Sequence, residues 1–246
     1  RDGERNGGTD LGEIFARLQL PFEIAITQLD MRAAVFEGFA AGMFEAASRY
    51  GVALVGGDTT SGSQIVVTLQ VLGDVPPGRA LLRSGARPGD TVYVTGTLGD
   101  AAAGLSMIGA ADADAFLTRR FLRPQARVAT GLALAGIASA CIDVSDGLTG
   151  DLRKLLEASG VGADLNLDAL PLSDAMSAAF DEDVARRFAA TGGDDYELCF
   201  TSAEPLPGEL AGVPVTAIGT VNDTRSLVCR SEGAVVEVDD SGYRHF

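Results

Sequence analysis

The 246 residues carry 34 acidic against 19 basic side chains, a formal net charge of −15, and 46% of them are apolar. That length and apolar share suit one large domain or two modest ones with a real core, while the acidic surface excludes nucleic-acid recognition through a basic face. No apolar run approaches the eighteen residues of a membrane span, and the opening RDGERNGGTD has no apolar h-region, so a cytoplasmic protein is the expectation.

Along the chain, residues 1–11 read as a glycine-rich loop and 12–20 as a short helix or strand. From 30 to 50 the apolar positions Val35, Phe36, Phe39, Met43, Phe44, Ala47 and Tyr50 recur at three- and four-residue spacing, which predicts an amphipathic helix ended by Gly51. A short buried strand over 52–55 should run into Gly56-Gly57-Asp58-Thr59-Thr60, with a second strand over 64–72. Pro76-Pro77-Gly78 is the clearest break and sets a domain boundary, 1–76 and 77–246. Beyond it the pattern predicts helices over 100–108, 116–122, 126–138, 148–159 and 184–190. Strands are expected over 91–95, 141–144, 163–167, 197–201, 215–221, 227–230 and 235–238. Helices and strands without strict alternation indicate an α+β fold rather than a doubly wound parallel sheet.

Residue counts narrow the chemistry. Cys141, Cys199 and Cys229 each sit in an apolar run and read as buried core residues. His245 is the only histidine, against a histidine metal site or a Ser-His-Asp triad. Lys154 is the only lysine and follows no glycine loop, so neither a P-loop nor the strand lysine of protein kinases is present.

Three acidic-glycine clusters remain: Gly56–Thr60, Asp143-Val144-Ser145-Asp146-Gly147, and Gly192-Gly193-Asp194-Asp195-Tyr196-Glu197. Carboxylates beside glycine turns suit phosphoryl transfer, where a protein mainly positions polyanions and offsets their charge through hard-oxygen metal sites. Each cluster also has an ordinary reading, as a turn, as a helix start capped by Ser145 or Asp146, or as a turn leading into a strand.

The succession GGDTT, GRALLRSGARPGD, YVTGTLGDAAAGL, RPQARV, IDVSDGL and GGDDYEL resembles the thiamine-monophosphate kinase family, from about residue 30 to the closing Gly242–Phe246. That family lies within a wider ATP-binding group that includes aminoimidazole ribonucleotide synthetase and selenophosphate synthetase. The resemblance implies a two-domain, aminoimidazole ribonucleotide synthetase-like α+β architecture that works as a homodimer. Residues 1–76 would be a partial N-terminal ATP- and magnesium-binding domain, and 77–246 the C-terminal α+β domain. The N-terminal domain is expected to be incomplete, because the family's GIGDDA-, STDxLVEGxHF- and LSDLAAMGA-like segments are not in this sequence. Gly12–Leu18 looks like the family's opening, which places the gap inside the chain.

Carried over residue by residue, the resemblance implies magnesium ligation by Asp58, Asp143 and Asp146, with Asp58 and Asp146 as the catalytic pair. ATP contacts would come from Gly57, Asp58, Arg83 and Ser145, and substrate contacts from Asp194 and Tyr243. Asp194 stands where the family usually has glutamate, keeping the charge with one methylene less reach. The implied reaction is in-line transfer of the ATP γ-phosphoryl group to thiamine monophosphate, with no phosphoenzyme. The alternatives are another ATP-dependent synthetase of the same group, or a non-catalytic nucleotide- or thiamine-phosphate-binding protein.

Overall fold

The computed structural model describes residues 20–28, 33–61 and 63–238. It divides into two compact units, one ending at Gly78 and the other starting at Arg79.

In the first unit, β1 (Leu20–Gln28) lies between β2 (Val52–Ser61) and β3 (Val66–Val71), parallel to β2 and antiparallel to β3. The amphipathic pattern folds as α1 (Ala33–Tyr50), whose Phe36, Phe39, Met43 and Ala47 pack with Val52. One expectation is corrected here. The strand after α1 does not stop at Val55 but runs through Gly56–Thr60 to Ser61, and it is not buried: Leu54 is 41% and Val55 59% exposed. The physical reason is the continuous parallel ladder with β1. It steps from Phe22↔Leu54 to Glu23↔Gly56, absorbs Val55 as the extra residue of a bulge, and then pairs on to Gln28↔Ser61.

The second unit is built on an eight-stranded mixed sheet. Its strands are β4 (Thr91–Thr95), β5 (Ala140–Val144), β6 (Gly162–Asn166), β7 (Glu197–Ser202), β8 (Glu209–Leu210), β9 (Val213–Asn222), β10 (Leu227–Ser231) and β11 (Ala234–Val236). They lie in the order β11-β10-β6-β9-β4-β7-β5, with β8 paired to β9. Only β6 and β10 run parallel within it; the other pairs are antiparallel, the mark of an α+β sheet.

Strand β4 shows why the middle of this sheet is dry. Val92 and Val94 enter the main core with Ile142, Val144, Leu152, Leu155, Leu165 and Ile218, while Tyr93 faces the other way. Tyr93 stacks on its cross-strand partner Phe200, ring centroids 5.5 Å apart, beside Leu134.

Helices α2 (Asp100–Met107), α3 (Ala115–Leu122), α4 (Val128–Leu134), α5 (Leu148–Ser159), α6 (Asp174–Ala179) and α7 (Glu182–Thr191) complete the unit. Helix α4 is shorter than the pattern predicts, because Arg127 precedes its first turn and the chain leaves the helix at Ala135. The short α6, which apolar spacing does not announce, begins where Ser173 accepts from the Met176 amide. The three cysteines are buried and form no disulfide, and burial pushes the Cys141 thiol up to about 12, so Cys141 is not an activated nucleophile. No described helix is long and apolar enough to cross a membrane.

Candidate active site

Two of the three acidic-glycine clusters meet in the second unit. Strand β5 delivers Asp143 to the surface and Val144 to the core, and the chain then turns through Ser145, Asp146 and Gly147 into α5. The cap differs from the sequence expectation: neither Ser145 nor Asp146 caps the helix. Asp151, buried in its first turn, reaches back and accepts from the amides of Ser145 and Asp146, both at 2.9 Å. Those amides are therefore committed to the protein, and the turn offers a ligand the side chains of Asp143, Ser145 and Asp146 instead.

Lys154, one turn beyond Asp151, places its ammonium 2.5 Å from Asp146 Oδ2 and 2.8 Å from Asp151 Oδ1. Hydrogen bonds to Asp146 and then Asp151 raise its pKa, so it stays charged. Gly147 is required where it stands, at φ 117°, because a Cβ there would lie 2.4 Å from the carbonyl oxygen of Thr191.

The loop 192–197 docks onto this turn through its backbone. The Asp194 amide donates to Ser145 O and the Tyr196 amide to Val144 O, both at 2.9 Å. Gly193 allows the approach, since a Cβ would sit 2.5 Å from Ser145 O. Its side chains then alternate between the outer face and the interior, although the segment before Glu197 is not strand and Asp194 and Tyr196 have positive φ. Asp194 and Tyr196 face outward, the phenol 3.3 Å from Asp194 Oδ1, while Asp195 and Glu197 turn inward and are 1% and 0% exposed. Burial and then the charges of Asp194, Asp143 and Asp146 raise the Tyr196 phenol, so three carboxylates from two loops act on one ring.

Beneath the loop lies an ionic network that sequence reasoning did not assign. Arg127 grips Glu197 with two bonds, Nε to Oε2 at 2.7 Å and Nη2 to Oε1 at 2.5 Å. Arg120 Nη2 adds a third at 2.9 Å, and Thr95 Oγ1 a fourth at 2.6 Å. Asp195 Oδ2 accepts from the Gly99 amide at 2.5 Å and Oδ1 from the Ala101 amide at 3.2 Å, at the start of α2. Arg120 Nη2 also lies 3.4 Å from the Asp195 carbonyl oxygen. The surplus of acidic residues in 194–197, set against the arginines of 119–127, is the only sequence signal that bears on this network.

The remaining expected site residues stand elsewhere. Gly57 and Asp58 belong to the first unit, where they line an open apolar groove with Phe36, Phe39, Met43 and Leu54. Asp58 is exposed, and its Oδ1 accepts from the Thr59 amide at 2.8 Å. Arg83 is exposed, and its carbonyl accepts from Ser159 Oγ at the C-terminal end of α5. That is a helix length, about 18 Å, from the Asp146 turn at the other end, so the structure does not bring Arg83 to Ser145 and Asp146. Tyr243 lies outside the described residues.

Among the described residues no three acidic, histidine or cysteine side chains converge to form a closed metal cage. Asp143 and Asp146 are hard-oxygen donors, the first exposed and the second partly so with its Oδ2 paired to Lys154. Such a donor set fits magnesium, which keeps several waters and shares its remaining positions with phosphate oxygens.

Comparison with known proteins agrees with this architecture. The family described as AIR synthase related protein, C-terminal domain, matches residues 87–231, and its N-terminal domain counterpart matches residues 17–75. Thiamine-monophosphate kinase of Escherichia coli K12 is 44% identical over 237 residues, covering 91% of this chain and 72% of the relative. The crystal structure of thiamine-monophosphate kinase from Stenotrophomonas maltophilia superposes with a TM-score of 0.80 at 34% identity, over 92% of this chain and 78% of that one. The AaThiL complex with AMPPCP and TMP superposes at 0.79 and 30% identity, over 92% and 73%. With the two-domain family matched in order and identity of this extent to its members, the chain belongs to the thiamine-monophosphate kinase family.

Proposed function

We propose that the chain transfers the γ-phosphoryl group of ATP to thiamine monophosphate, giving thiamine diphosphate and ADP. The observation that carries this reading is the docking of the Gly192–Glu197 loop on the Ser145–Gly147 turn, which puts Asp143, Asp146 and Asp194 around one surface of a protein of this family. Asp194 and, by resemblance, Tyr243 would contact the thiamine moiety, and Ser145 the nucleotide. Asp143 and Asp146 of the second unit and, by resemblance, Asp58 of the first would each be magnesium ligands, and magnesium when bound would offset the charge of the donor and acceptor phosphates. The acceptor is a phosphate oxygen already ionised at neutral pH, so positioning is the main task of the side chains and no general base is needed. Gly57 would bring its backbone to the phosphates. Arg83 would reach only a part of the nucleotide extending to the far end of α5. A homodimer acting in the cytoplasm without nucleic acid completes the reading, supported by the family resemblance and the net charge of −15.

The test is thiamine diphosphate formation from thiamine monophosphate and ATP, with and without magnesium. The expected result is magnesium-dependent product that falls by roughly a hundredfold or more in Asp146→Ala, with the melting temperature little changed. Wild-type turnover in that variant would overturn the assignment of Asp146. Nucleotide binding without any turnover by the wild-type protein would favour a binding protein over an enzyme.

A further inference from the structure

The loop that carries Asp194 is gripped on both sides, and the inner grip has no part in the chemistry above. On the outer side the amides of Asp194 and Tyr196 bond to the end of β5. On the inner side Asp195 closes over the first turn of α2, accepting from Gly99 and Ala101, while Arg120 meets its carbonyl. The two outward residues both have left-handed backbones, Asp194 at φ 66° and Tyr196 at φ 51°. Side chains other than glycine disfavour that conformation, and it persists only where surrounding contacts over-determine it.

We propose that Asp195 is a positioning residue for substrate recognition: its buried carboxylate, anchored on the amides of Gly99 and Ala101, holds Asp194 and Tyr196 in their left-handed conformations on the outer face.

The anchor is itself fixed. Gly99 sits at φ 81° against α7, where a Cβ would fall 2.5 Å from Ala189 N, so the amide that Asp195 grips cannot shift without moving that helix. A carboxylate at a helix N-terminus also meets the positive end of the backbone dipoles, which favours this partner over a neutral one. Arg120 ties the same anchor to Glu197, so Asp195 and Glu197, on either side of Tyr196, are held by one guanidinium. Placement matters more here than it would with glutamate, because aspartate at 194 has one methylene less with which to correct an error of the backbone.

The inference rests on the phosphotransfer reading for its consequence but not for its geometry, and two measurements on the full chain separate them. The first is amide hydrogen exchange. In Asp195→Ala the amides of Asp194 and Tyr196 should exchange at least about tenfold faster, with those of β4 and β7 unchanged. Asp195→Asn, which keeps one acceptor oxygen, should fall between, and it replaces the alanine variant if that one does not fold. The second is a double-mutant cycle with Asp194→Ala. Alone, Asp195→Asn should raise KM for thiamine monophosphate by roughly tenfold and leave KM for ATP within about twofold; in the Asp194→Ala background it should change neither. Unchanged exchange at Asp194 and Tyr196, or an effect on KM that persists undiminished without the Asp194 carboxylate, would overturn the proposal. A wild-type protein that does not convert thiamine monophosphate would sink the functional reading, while the exchange measurement still decides whether Asp195 holds the loop.

Discussion

The two units carry the same kind of acidic-glycine motif on very different supports. In the first, Gly56–Thr60 runs along a strand of a three-stranded sheet. At the other edge of that sheet β3 is exposed at all six positions, Val66, Val67, Leu69 and Val71 included, and one helix supplies the described packing. In the second, Gly192–Glu197 rests on a buried ionic network and a sheet whose β4 core positions are nearly or wholly shielded. The contrast shows what a motif needs in order to have a shape. Carboxylates and glycines set what can be bound, but the layer beneath them sets where each carboxylate points. The chain spans 72% of the length of its Escherichia coli relative.

The sharpest way to break that comparison is to remove one support from each unit. Glu197→Gln leaves Arg120 and Arg127 buried without their shared carboxylate and should cost about 3–5 kcal/mol, read as a loss in urea midpoint. Glu45→Gln in the first unit breaks the exposed pair with Arg49 on α1, and should cost about 0.5 kcal/mol or less. Similar losses at the two positions would mean that the buried network contributes little.

A matched pair of glycine substitutions should differ in sign. In α2, a Cβ on Gly104 would fall 2.0 Å from the backbone oxygen of Leu117 in α3, so Gly104→Ala should destabilise by about 3 kcal/mol. In α1, a Cβ on Gly42 meets nothing within 4 Å, and Gly42→Ala should stabilise by up to about 1 kcal/mol through helix propensity. Thermal melts of both variants check this, and a destabilising Gly42→Ala would show that the open face of α1 is covered in solution.

The inner face of the loop also predicts a dependence on pH. Burial raises the Asp195 carboxyl to about 7, reinforced by Asp100 and opposed by the amides of Gly99 and Ala101 and by Arg120. Its ordinary value is about 3.9, so between those values the folded chain holds a proton that the unfolded chain has released. The stabilisation from this group is then complete below about pH 4 and is lost as pH rises through about 7. Asp195→Asn should flatten that part of the stability profile, measured as urea midpoints from pH 4 to 8. An unaltered profile would show that Asp195 is ionised throughout.

Much of this was legible in the residues. The helix over 33–50 follows from apolar spacing, and the β4 strand from its β-branched run. The resemblance rests on motifs that stand in the sequence as written. The ends of elements were less legible. Apolar spacing does not reveal that Arg127 must turn its guanidinium back to Glu197, which delays α4, nor that parallel pairing with β1 draws Gly56–Thr60 into a strand. In the third cluster the notable carboxylate by sequence was Asp194. Asp195 and Glu197, acidic like it, became distinct only when the left-handed turns at Asp194 and Tyr196 left them facing inward.

The sequence by itself determined the class of chemistry. Its composition excluded a basic nucleic-acid face, its single lysine excluded a P-loop, and its spaced acidic-glycine motifs carried the family resemblance. Local patterns could do this because they depend on residue type and short spacing alone. Only the tertiary structure decided that Asp151 takes the amides of the Ser145–Asp146 turn, that Arg83 lies at the far end of α5, and that two arginines and a helix start hold the Asp194 loop. Those relations join residues up to 96 positions apart, as between Gly99 and Asp195. Their free energy comes from burying charged groups with their partners, which no single stretch of chain can express.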